Sequence, residues 1–90
     1  MSKSIFTLEE GAIMLDALDA LKQYKMTDYS LARTNALQMR IANGFPAFTL
    51  GELKNICLGL EVLLSGDPMD WKANTLLQRL RTEFGVPKQL

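Results

Sequence analysis

An all-α fold, a small four-helix bundle made of two similar αα-hairpins, is what this sequence predicts. Three observations carry the reading: matching helix-start signatures at Thr7 and Thr49, apolar residues at helical spacing behind each start, and a second half that resembles the first. An amphipathic helix must bury its stripe against another element, so four such helices in a short chain predict one packed bundle.

Thr7-Leu8-Glu9-Glu10 has the pattern of a capping box, in which the Thr7 hydroxyl accepts from the backbone N–H of Glu10 and the Glu10 carboxylate accepts from that of Thr7. Met14, Leu15, Leu18 and Leu21 follow at helical spacing, with Asp16, Asp19 and Gln23 largely off the stripe, so the first helix should run to about Tyr24. Thr27 or Asp28 caps a second helix through Leu31, Leu37 and Ile41; Asn43-Gly44 closes it and Pro46 blocks its continuation. Phe48-Thr49-Leu50-Gly51-Glu52 repeats the capping box and opens a third helix through Leu53, Ile56, Cys57, Leu60, Leu63 and Leu64, ended by Gly66. Asp67-Pro68-Met69-Asp70 reads as an N-cap with Pro68 at the first helical position. The fourth helix then runs through Ala73, Leu77, Leu80 and Phe84 and stops at Gly85 and Pro87.

The halves align with each other. Shifted by 42 residues, Phe6, Thr7, Leu8, Glu10, Met14, Ala17, Leu18, Asp19, Ala20 and Leu21 fall on Phe48, Thr49, Leu50, Glu52, Ile56, Gly59, Leu60, Glu61, Val62 and Leu63. Asp28-Tyr29 falls on Asp70-Trp71 at the same shift, whereas Asn35, Leu37, Arg40 and Ile41 match Asn74, Leu76, Arg79 and Leu80 at 39. One hairpin then spans about residues 7–44 and the other about 49–85, each burying its stripe against the other within a single helical domain, 1–90.

Composition narrows the classes of function. The 90 residues are 48% hydrophobic and 22% charged, the balance of a globular rather than a disordered chain. Ten basic residues offset ten acidic ones, so the whole molecule has no long-range attraction to nucleic acid or to an anionic membrane, and binding of either kind would need a local patch. Met1-Ser2-Lys3-Ser4 is not followed by a long apolar stretch and no run approaches a membrane span, so we expect a cytoplasmic protein without a membrane partner.

The residue types argue against catalysis. With no histidine and one cysteine, the chain cannot assemble an imidazole-activated serine or cysteine nucleophile, an internal disulfide, or a closed zinc or iron–sulfur site. Cys57 falls on an apolar face, where a thiol packs as a small hydrophobe with a raised pKa. Asp16 and Asp19 are neighbours on one helix, but a solvated face opposite an apolar stripe accounts for them. The glycines are scattered rather than gathered in a phosphate-binding loop. We therefore expect no catalytic residues, no metal and no cofactor.

The basic side chains offer more. Arg33 and Arg40 are seven residues apart, about 20° around a helix, with Tyr29 beside them. No acidic residue lies between Tyr29 and Phe48; Lys72, Arg79 and Arg81 make the fourth helix basic, and the first is acidic. Charge complementarity among the bundle helices accounts for this pattern, and a surface for nucleic acid or an acidic partner is the alternative. Arg40-Ile41-Ala42-Asn43-Gly44, then Thr49-Leu50 and a helix with Leu53, Ile56 and Leu60, resembles the end of the recognition helix and the next helix in Xre/Cro-type helix-turn-helix repressors. That resemblance implies phosphate or base-edge contacts from Arg33, Asn35, Gln38 and Arg40. Upstream it departs: Lys25-Met26-Thr27-Asp28-Tyr29-Ser30 stands in place of the family's tight glycine-containing turn, and Gln38 where the family has an apolar core residue.

Leu58 and Val62 lie outside the main stripe of the third helix, where the first helix has Asp16 and Ala20. The extra apolar width is explained either by burial in the bundle or by an interface. The expectation is a non-enzymatic interaction module, an adaptor, regulator or inhibitor that docks on a partner protein or on a second copy as a homodimer. Leu58, Val62, Tyr29, Arg33 and Arg40 are its candidate contact residues. The alternative is a DNA-binding transcriptional regulator with a helix-turn-helix-like element around Arg33–Gly44, reading through Arg33, Asn35, Gln38 and Arg40.

Overall fold

The structure, a computed structural model of the chain, describes residues 6–24, 27–44 and 48–86. Among the described residues there are four helices and no strand: α1 (Leu8–Lys22), α2 (Asp28–Ala42), α3 (Leu50–Gly66) and α4 (Trp71–Glu83). Pro46 and Pro87, the expected stops after α2 and α4, lie outside those residues.

The helix starts follow from side-chain caps. Both capping boxes are closed in both directions. Glu10 N–H donates to Thr7 Oγ1 and Thr7 N–H to Glu10 Oε1, and Glu52 and Thr49 repeat the exchange. Each satisfies amide donors that a helix N-terminus otherwise leaves open. At α2 the cap is Thr27, whose Oγ1 accepts from Ser30 N–H, while Asp28 sits in the first turn and complements the helix dipole. Gly44 and Gly85, just past α2 and α4, take φ of +141° and +70°, which side chains with a Cβ rarely adopt.

The start of α4 corrects the sequence reading. Asp67 is the C-cap of α3, its side chain accepts from Met69 N–H, and Pro68 lies in the turn rather than at the first helical position. Asp70 caps α4 instead, accepting from Ala73 N–H. Two aspartates compete for the role, and the first is used up by the turn. Phe84 is likewise the C-cap residue of α4 rather than part of the helix.

The two hairpins cross through α1 and α3, which form the main packing contact; α2 packs on α1 and α4 on α3, with a lesser contact between α1 and α4. At the crossing Gly59 lies against Ala17. A Cβ on Gly59 would stand 2.7 Å from the Ala17 carbonyl carbon and 3.1 Å from its Cβ, so glycine sets how closely the helices approach. Met14, Leu18, Ile56, Leu60, Leu76 and Leu80 are fully buried around this contact.

Ala17 and Gly59 are equivalent at the 42-residue shift, as are the fully buried Met14 and Ile56, and Leu18 and Leu60. The buried residues of α2, Thr34, Leu37 and Ile41, fall on Ala73, Leu76 and Leu80 of α4 at the 39-residue shift, all of them buried. The capping-box glutamates also exchange partners between halves. Glu10 accepts from Arg79 at 2.7 and 2.8 Å, and Glu52 pairs with Arg40, the equivalent of Arg79. At these positions, equivalent residues do the same work in both hairpins.

Candidate functional site

Most of the cations that drew attention in the sequence are occupied within the fold. Lys72 pairs with Glu9, Arg79 with Glu10 and Glu83, Arg81 with Glu61, and Arg40 with Glu52. The acidic α1 and basic α4 are thus matched to each other. Arg79 also lies over the rings of Phe6 and Phe84, 4.9 and 5.9 Å from their centroids, and those rings stack 5.3 Å apart. This binds the start of the first hairpin to the end of the second. Partial burial works to raise the Glu10 pKa, but the Thr7 N–H and the Arg79 guanidinium outweigh it and hold the carboxyl below its ordinary value.

Arg33 is different. Its guanidinium stands 5.7 Å from the centroid of the Tyr29 ring, and it has no carboxylate partner among the described residues. Tyr29 is 71% exposed.

Asn35 and Gln38 face α1 rather than solvent alone. Lys22 Nζ donates to Asn35 Oδ1 at 2.8 Å and to Gln38 Oε1 at 2.7 Å. Gln38 Nε2 donates to the Leu15 carbonyl at 3.2 Å and to Asp19 Oδ1 at 2.9 Å. The hydrogen bond from Gln38, with Lys22 nearby, holds the Asp19 carboxyl below its ordinary value. In this state Gln38 has both ends of its amide engaged, and Arg40 is tied to α3.

Cys57 is fully buried, and burial pushes its thiol up to about 11, with the Arg81 charge opposing the shift. At neutral pH it is a protonated thiol, which is a poor nucleophile and a poor metal ligand. Asp16 and Asp19 are exposed, the environment of a solvated face. No group of three or more metal-ligating side chains occurs among the described residues, and no helix there is long and apolar enough to cross a membrane.

Exposed apolar side chains are spread over the described surface: Leu8, Leu50, Met69 and Trp71 stand at or just before helix starts, and two further groups lie on helix faces. Leu58 lies on the outer side of α3 at 40% exposure, and Val62, one turn on, is half-buried against the core. On α2, Tyr29, Ala32, Ala36 and Met39 recur at helical spacing on the face away from Leu37 and Ile41, and Met39 is 65% exposed. Met39, like the exposed Leu8, Leu50, Met69 and Trp71, is not among the contact residues expected from the sequence. Its spacing from Tyr29 and Ala36 was the available signal, masked by Leu31, which spacing alone placed on the core stripe and which is exposed instead.

No protein-family model matches the chain, and no curated protein or solved structure matches it. Among the described residues, the surface carries exposed apolar side chains and the Arg33 guanidinium over Tyr29, while Lys22, Arg40, Lys72, Arg79 and Arg81 pair with carboxylates within the fold.

Proposed function

We propose that the protein is a non-enzymatic interaction module that works by docking on a partner protein, or on a second copy of itself, as an adaptor, regulator or inhibitor. The observation that carries this reading is the asymmetry between matched helices: α3 bears Leu58 and Val62 where α1 bears Asp16 and Ala20. Folding of the hairpin does not require an apolar residue at that outer position, since α1 forms with an aspartate there. Leu58 is 40% exposed and Val62, half-buried against the core one turn on, adjoins it; contiguous apolar area of that kind supports an interface, whereas a single exposed leucine would not.

Leu58→Glu with Val62→Gln tests it, read by light scattering, circular dichroism and affinity capture against wild type. The expected result is a folded variant that loses a dimer or a captured partner. Loss of helical signal places the two residues in the monomer core. A wild type that is monomeric, with every captured protein retained by the variant, refutes the proposal.

The second reading, DNA binding through α2, is favoured by Arg33, which has no carboxylate partner among the described residues and lies beside an exposed tyrosine. It predicts a salt-dependent shift of duplex DNA that weakens on Arg33→Ala. The engagement of Asn35, Gln38 and Arg40 within the fold favours the first reading.

A further inference from the structure

The matched helices α2 and α4 are held in different ways. At the 42- and 39-residue shifts, Lys22 and Gln38 of the first hairpin correspond to Leu64 and Leu77 of the second. Leu77 is buried and Leu64 packs against the core, whereas Lys22 and Gln38 are joined to each other and to Asn35, Asp19 and the Leu15 carbonyl in a polar clasp. The α4 helix buries Ala73, Leu76, Leu77 and Leu80, packs on both α3 and α1, and is followed by the buried Val86. The α2 helix buries Thr34, Leu37 and Ile41, one of them polar, and its packing is on α1.

Hydrogen bonds of a partly exposed clasp are exchanged for bonds to water when the helix leaves, so they resist separation far less than buried leucines do. We propose that α2 is a detachable helix, undocking from α1 as a unit while α1, α3 and α4 remain packed. A 15-residue helix is marginal in water by itself, so undocking also melts it. The open state uncovers Leu37, Ile41 and the side of α1 from Leu15 to Lys22, an apolar surface that the closed molecule withholds. The Arg40–Glu52 pair to α3 breaks in the same event.

Native-state hydrogen exchange on the full chain, followed residue by residue in increasing low urea, tests the proposal. The amides of α2 should exchange about tenfold or more faster than the core amides of α4, through an opening with weak urea dependence. Lys22→Leu with Gln38→Leu, which copies the second hairpin, should slow α2 exchange toward that of α4. Gln38→Ala should speed it and leave α4 unchanged. Equal protection and equal urea dependence for α2 and α4 in the wild-type protein, or opening of α4 before α2, overturns the proposal whatever the variants do.

Discussion

Gly59→Ala adds one methyl group at the crossing of α1 and α3. The new Cβ would lie 2.7 Å from the Ala17 carbonyl carbon and 3.1 Å from the Ala17 Cβ. Ordinary carbon contacts fall at about 3.5–4.0 Å, so α1 and α3 must part by roughly 0.8 Å, which forfeits about a quarter to a half of each contact's attraction along the seam. The obstruction is main chain, and no rotamer change relieves it. Overpacking of this kind costs about 3 kcal/mol at the upper end of its usual range, and replacing a mid-helix glycine returns about 1 kcal/mol, so the net loss is about 2 kcal/mol. Urea denaturation followed by far-ultraviolet circular dichroism should show a midpoint lowered by about 1–2 M. Gly51→Ala is the control: its Cβ would meet only Thr49 Oγ1 at 3.8 Å, an ordinary contact, so stability should hold or rise slightly. A midpoint for Gly59→Ala equal to or above that of wild type would refute both the crossing geometry and the role assigned to glycine there.

Thr7→Ala and Thr49→Ala should each destabilise the protein by about 1 kcal/mol in the same assay, because each removes a cap acceptor, and unchanged midpoints would show the caps to be idle. The Glu10 carboxyl, held below its ordinary value of 4.5, contributes stability that is present above pH 4.5 and is lost as pH falls through the lowered value. Glu10→Gln should therefore lower the denaturation midpoint at neutral pH and flatten its decline in acid; an unaltered acid limb would count against the Arg79 pairing. Cys57 should resist alkylation by iodoacetamide in the native protein at neutral pH and react once urea unfolds the chain, and rapid native labelling would contradict its burial.

Local chemistry made three of the helix starts legible in the sequence. Thr7, Thr27 and Thr49 cap through contacts no more than three residues away, and the apolar spacing behind them fixes which face turns inward. The start of α4 was misplaced because Asp67 and Asp70 both have capping chemistry, and the choice between them depends on where α3 ends. The exposed Leu31 shows a different limit. Leucine at helical spacing signals an inward face when the helix is packed on several sides, but α2 is packed on one, so its buried arc is narrow. The partners of the cations were visible only as a class. Matching an acidic α1 to a basic α4 follows from charge counts, whereas pairing Arg40 with Glu52 and Arg79 with Glu10 requires knowing which helices cross.

Internal correspondence separates what the fold needs from what it leaves open. Ala17 and Gly59, Glu10 and Glu52, and Arg79 and Arg40 are equivalent and do equivalent work, so their chemistry is tied to the scaffold. Asp16 and Leu58 are equivalent but opposite in character, as are Gln38 and Leu77, and Met39 and Gln78. Since one helix of each pair folds without the other's residue, helix formation does not require these choices. Leu58 and Met39 leave apolar area exposed, and Gln38 puts a polar contact where the second hairpin buries Leu77; on the proposals made above, the first serves docking and the second loosens α2. Leu58→Glu asks α3 only for what α1 already does with Asp16, so its effect on association is separable from an effect on folding in a way that a substitution at Leu60 would not be.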